Sequence, residues 1–197
     1  MAVADLIVTP CRVLYSNTGI SLPADTVAAG GAWPSGWTEV AYTDSDLSVK
    51  YVREKVEADI QESLTPITRA IGKETLEIET SLAELLTSQL ALAWGGTVSV
   101  TPAGEGQPAK DELIGGDDAT IDEKQWGFEG SYVTAAGYSE PIRLVVWKGV
   151  ADLGAELKFG KKTPTGIPLK ISANPDMGKA RGQRLFKLIK ITAPASS

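Results

Sequence analysis

Apolar residues recur at every second position in short runs along most of this chain, and Gly, Pro, Asp and Ser separate the runs. That period puts alternate side chains on opposite faces of an extended backbone, so it dictates strands with one buried face. Leu47, Val49 and Tyr51 alternate with Ser48 and Lys50, Leu76 and Ile78 with Glu77 and Glu79, and Val98 and Val100 with Thr97, Ser99 and Thr101. Further strand candidates lie at 37–42, 132–133, 142–147, 155–159, 167–171 and 185–191. Pro10 interrupts an apolar run at 6–15, and Pro168 sits in the run at 167–171. A proline cannot donate to a ladder, so both runs are expected at a sheet edge or in an arm. Residues 17–36 and 102–118, rich in Gly, Pro, Ala and acidic side chains, read as long loops. The charged stretch from Arg53 to Glu62, between β-prone flanks, reads as a long hairpin with a projecting tip.

One segment breaks the two-residue period. Over residues 81–94, Leu82, Leu85, Leu86, Leu90, Ala93 and Trp94 share one side at helical spacing, which makes them the expected core face of a flanking helix. Ser81 and Glu84 fit a capping box at its start, and Gly95-Gly96 stops it. The expected fold is therefore mainly β, a two-sheet β-sandwich or barrel with one flanking α-helix. The 197 residues fit a single domain. It comprises an arm and long loop at 1–36, strands with the hairpin at 46–80, the helix at 81–94, the remaining strands at 97–192 and a mobile tail at 193–197.

The chain has no histidine, and Cys11 is its only cysteine. An intrachain disulfide and a thiolate metal cluster are excluded, and the commonest general base is missing. No catalytic, cofactor-binding or metal-ligating residue is assigned, and the expectation is a protein that is not an enzyme and carries no cofactor. The acidic group Asp117, Asp118, Asp122 and Glu123 lacks EF-hand spacing and reads as a solvated loop. Trp33 and Trp37 flank a Pro-Ser-Gly turn. They are expected to pin the long loop to the body; exposed, they could stack on a sugar, as in a carbohydrate-binding or adhesin-like sandwich. No apolar run reaches the roughly 20 residues a membrane helix needs, and the first residues have no basic stretch of a secretory signal.

Charge is unevenly placed. The net charge is −6, which argues against phosphate binding. Residues 1–147 carry 9 basic and 22 acidic side chains, a balance of −13, and residues 148–197 carry 10 and 3, a balance of +7. That split fits two solvated faces of unlike sign, or a polar subunit whose copies meet head to tail.

The order of features over the first hundred residues resembles the major tail tube proteins of long-tailed, siphovirus-type bacteriophages. A Trp37-Thr-Glu-Val segment leads to a Thr-Asp-Ser-Asp turn at 43–46, the strand at 47–51, a charged hairpin, the strand at 74–79 and a helix. Ala41 and Ser45-Asp46 stand where that family often has glycines. The resemblance implies a virion structural protein, assembled in the host cytoplasm, whose hexameric rings stack into the tube through which the genome is ejected. The tube of a contractile injection machine shares this fold. Contacts between rings are implied for the hairpin, with Arg53, Lys55, Glu57, Ile60 and Leu64 as candidates. The partners implied are further copies of the chain, a tape measure protein, terminator and distal tail proteins, and DNA that passes without specific binding. A conduit must not hold phosphates, so Glu77 and Glu79 are expected to face the lumen, and Lys158, Lys161 and Lys162 to face away from it.

Overall fold

The computed structural model describes residues 6–7, 11–40, 43, 47–58, 68–82, 86–116, 122–134, 137–151 and 167–192. It is mainly β, antiparallel throughout, with one short helix. Nine strands join in one sheet: β1 (Leu6–Ile7), β2 (Arg12–Asn17), β3 (Trp37–Glu39), β4 (Ser48–Ala58), β5 (Thr68–Leu82), β8 (Lys124–Val133), β9 (Ser139–Ala151), β10 (Ile167–Asn174) and β11 (Phe186–Lys190). Their main path runs β3-β2-β8-β9-β10-β5-β4, with β1 on β8 and β11 on β9. Helix α1 (Thr87–Trp94) leads into a separate two-stranded hairpin of β6 (Thr97–Thr101) and β7 (Lys110–Ile114).

The core shows how the sheet is shaped. Val13 of β2 and Trp126 and Phe128 of β8 share one buried cluster with Leu76, Ile78 and Leu82 of β5 and Leu169 and Ile171 of β10. Strands from both halves of the path meet there, so the sheet curls over its own apolar face. Leu90 and Leu92 of α1 pack against the same cluster.

Several expectations change. The strand at 74–79 does not hand over to a helix at Ser81. Its alternation continues, and Leu76, Ile78, Thr80 and Leu82 are all buried along β5. Ser81 and Leu82 therefore belong to the strand, and Glu84 and Leu85 lie outside the described residues. The helix starts at Thr87, with Leu86 at the N-cap and no side-chain cap. Leu86 is 45% exposed and Trp94 40% exposed, whereas Leu90 packs against the core cluster; the Ala93 side chain lies outside what is described. Gln89, which the leucine spacing passes over, is the buried side chain of the first turn. The stop is as expected: Gly95 adopts φ 74° and donates to the Ala91 carbonyl at 2.9 Å.

The prolines do not confine their strands to edges. β2 lies between β3 and β8. Ile7 pairs with Tyr132 and Arg12 with Glu129, so five steps on one strand match three on the other. The register changes across the stretch containing Pro10, and the ladder resumes beyond it. β10 lies between β5 and β9, but its pairs with β9 begin at Ile171, three residues past Pro168. The expected loop at 102–118 contains β7, whose exposed, polar Lys110-Asp-Glu sequence hid it. β8 and β9 are longer than the runs at 132–133 and 142–147 suggested. The candidate strand at 155–159 lies outside the described residues, as do Ala41 and Tyr42.

Candidate assembly surfaces

The paired arms expected of the hairpin are present, and its tip at residues 59–67 lies outside the described residues. β4 and β5 pair from Ser48 opposite Glu79 to Ala58 opposite Thr68, with a register shift at Glu54 and Lys55. β10 pairs only with residues 77–82 of β5. Beyond that point β4 and β5 continue as a two-stranded ribbon. Arg53 bonds to Glu74 across it at 2.8 Å, which raises the Arg53 pKa, and Lys55 is exposed. Glu57 is on β4, but its side chain, like Ile60 and Leu64, lies outside what is described.

β4 is a free edge on its other side among the described residues, and its charges and its register shift protect it only in part. Val49, Tyr51, Val52 and Val56 of β4 and Ile71 of β5 are all exposed, Val56 at 55%. Proteins usually blunt a long edge with lysine and other charges, β-bulges, proline or short length, because unpaired amides and carbonyls recruit another strand. This edge is 11 residues long with apolar side chains on both faces. At the other end of the path, β3 presents a second, shorter edge.

Glu77 and Glu79 stand on the outer face of β5, as the alternation required. That face is not purely acidic. Lys170 of β10 lies 3.3 Å from Glu79 and 3.7 Å from Glu77, and Lys50 of β4 pairs in register with Glu77. Lys158, Lys161 and Lys162 lie outside the described residues.

The second face of the β2-β8-β9 region is covered by the loop at 17–36. At its centre is the Glu129 carboxylate, 1% exposed. It accepts from Arg143 at 2.7 Å, Arg12 at 3.0 Å, the Gly30 amide at 3.0 Å and the Trp33 indole at 3.3 Å. Arg143 is fully buried and also donates to the carbonyls of Ala24 and Val27, and Arg12 donates to Gly31. The loop's backbone is thus fastened to a satisfied ion pair, which is how a buried charge is tolerated. Trp33 and Trp37 pin the loop as expected: their rings meet edge-on at 4.6 Å, and Trp37 donates to the Ser21 carbonyl at 2.9 Å. Gly127 makes room for them, since a Cβ there would lie 2.5 Å from the Trp33 ring. Gly127→Ala is expected to destabilise the fold by about 1–3 kcal/mol by overpacking and to shift tryptophan emission to the red; an unchanged melting curve and spectrum would remove Trp33 from this position.

Sequence reasoning missed Glu129 and Arg143 because a lone charged side chain reads as solvated when its partner is distant in sequence. Cys11 faces the same centre. Burial, with the Glu129 charge adding to it, pushes its thiol up to about 11. At pH 8 only on the order of 0.1% of such a thiol is ionised, so Cys11 is expected to alkylate at least about a hundredfold more slowly in the native chain than in urea. Equal rates would mean that the thiol is open to solvent.

The acidic loop is accounted for in part. Asp122 pairs with Lys124 at 2.9 Å, and Glu123 meets Lys148 at 3.1 Å and Asn174 at 2.9 Å, bonds that hold its carboxyl below the ordinary range. Asp117 and Asp118 lie outside the described residues. Among the described residues no group of three or more His, Cys, Asp or Glu side chains could hold a metal, and no helix is long and apolar enough to cross a membrane. No family model and no curated protein sequence matches this chain.

Proposed function

We propose that this chain is a structural subunit of the tail tube kind, whose copies join edge to edge into a ring that stacks into a hollow tube. The observation that carries the reading is the long β4 edge, free among the described residues and carrying exposed apolar side chains between its charges. It sits at the opposite end of the strand path from β3, so one copy's β4 can meet the next copy's β3 in a head-to-tail joint. Such a joint closes into a ring when the turn per subunit divides a circle, and it covers the β3 edge and part of the longer β4 edge. The feature order shared with siphovirus tail tube proteins points the same way and supplies the expected number, six.

In this reading the ribbon beyond Leu76 reaches toward a neighbouring ring. The face with Glu77 and Glu79 lines the channel, with Lys170 and Lys50 moderating its charge so that passing DNA is not held. The chain performs no chemistry; its further partners are a tape measure protein and the proteins that cap the tube's two ends. Negative-stain electron microscopy of the concentrated protein tests this. Rings or hollow tubes are the expected result. A protein that remains monomeric at every concentration and salt tested would sink the reading.

A further inference from the structure

β9 carries an unusual partner along one edge. β8 occupies its other edge from Ser139 to Gly149, so β10 and β11 must share the remaining one. They follow each other along it in the same direction: Asn174 pairs with Lys148, and Phe186 pairs with Val146. Residues 175–185 therefore leave the ladder opposite the single residue Trp147 and return to it. The excursion is built, not slack. Asp176 and Arg184 join through their backbone at 2.9 Å, the Asp176 carboxylate accepts from the Gly178 amide, Trp147 donates to the Gln183 carbonyl at 2.8 Å, and the Lys179 ammonium sits 4.3 Å from the Trp147 ring centre.

At the same level the sheet splits. β5 ceases to pair with β10 beyond Glu77 and goes off with β4, so β11 is left with β9 as its only described neighbour. Between the departing ribbon and the excursion lies a cleft of about 620 Å³. Tyr51, Arg53 and Glu74 line one side and Arg181, Arg184 and Phe186 the other, and the two sides touch where the Tyr51 and Phe186 rings meet edge-on at 5.2 Å. Arg53 is matched by Glu74, but Arg181 and Arg184 have no ion pair with any described residue. The cleft thus combines an open strand edge, two aromatic rings and two unmatched guanidinium groups held on a fixed loop.

We propose that this cleft receives an extended acidic segment from a second copy of the chain, residues 57–67. The recognition is chemical. Backbone groups of the segment pair with the open edge, and carboxylates meet the Arg181 and Arg184 forks. Residues 57–67 carry Glu57, Asp59 and Glu62 and no basic side chain. The same residues run from the end of β4 to the residue before Thr68, which pairs with Ala58. The inference rests on the proposed self-assembly and supplies the receiving site for it.

A labelled synthetic peptide of residues 57–67, titrated against the full chain in fluorescence anisotropy, is the test. Binding is expected, weakened about tenfold or more by Arg181→Glu, which removes no hydrogen bond to a described residue. A peptide carrying Asp59→Lys and Glu62→Lys is expected to lose binding to the unaltered chain and to recover it on the Arg181→Glu chain. Peptide affinity unchanged by Arg181→Glu, or no binding at all, would overturn the cleft as the receiving site. The two readings fail separately: tubes that form without peptide binding sink only the cleft, and peptide binding by a chain that never assembles sinks only the tube.

Discussion

Arg143→Ala is expected to lower the unfolding free energy by about 3–5 kcal/mol, the range for stripping one partner from a buried ion pair. The guanidinium is fully buried, so its removal leaves the Glu129 carboxylate inside with Arg12 as its remaining countercharge, and Arg12 is shared with Glu39 at 2.6 Å. The carbonyls of Ala24 and Val27 lose their donor at the same time. Both losses fall on the loop at 17–36, so local release should accompany the global effect. Urea unfolding gives the first quantity and limited proteolysis within 17–36 the second. Glu129→Met with Arg143→Met is expected to cost less than the two single changes added together, because neither then strands a charge. A loss under about 1 kcal/mol for Arg143→Ala would mean that water enters freely beneath the loop, and that the network is not what fastens it.

Where the sequence was legible, the reason is local. The alternation through Leu76 and Ile78 depends on nothing beyond the pleat, and it located β5 and its outward-facing Glu77 and Glu79. The hairpin followed from two such runs around a charged segment. The helix was misplaced because Leu82 satisfies both periods: it continues Leu76, Ile78 and Thr80 at two-residue spacing and begins the leucines at helical spacing. Burial at 0% on the strand shows that the two-residue period wins. The tertiary reason is that β10 continues alongside β5 to Leu82, opposite Ile167, so the ladder holds the backbone extended through Ser81, where the helix was expected to start.

Other features could not be read locally. β8 carries Trp126 and Phe128 toward the core and Gln125, Gly127 and Glu129 under the loop. A strand buried on both faces loses its alternation, and polar residues satisfied by distant partners then resemble a turn. Glu129 reads as solvated until Arg143, fourteen residues on, and Arg12, more than a hundred residues before it, are brought beside it. The excursion at 175–185 was invisible for a different reason. Its two flanking strands are continuous in space but not in sequence, so only the register on β9 reveals that they are one interrupted edge.

The charge split acquires a structural counterpart at that edge. The excursion and β11 hold Lys179, Arg181, Arg184, Lys187 and Lys190 against the single acid Asp176. Arg184 bonds to the Lys179 carbonyl at 3.0 Å, which orients the loop without neutralising it. Cations held on an ordered loop lose less freedom on binding than cations on a mobile tail, so they suit recognition better than solubility alone would require.

Val52→Lys combined with Val56→Lys should abolish assembly while leaving the monomer folded. Both positions are exposed on β4, which pairs with β5 alone, so the change costs the isolated fold no more than about 1 kcal/mol of strand preference. At an edge-to-edge joint the situation differs. Each ammonium must either lose water against a neighbouring strand or hold that strand off, which is how natural edges use lysine to refuse a partner. With about 1.4 kcal/mol per tenfold in affinity, even a modest penalty at each position weakens association by at least about a hundredfold. Val100→Lys supplies the control: Val100 is 68% exposed but lies on β6 of the separate hairpin. Sedimentation velocity and microscopy should show monomers for the double variant and unimpaired assembly for the control. If both variants assemble normally, β4 is not the joint. If both fail, exposed apolar area in general drives association, and the edge-to-edge ring loses the observation that supports it.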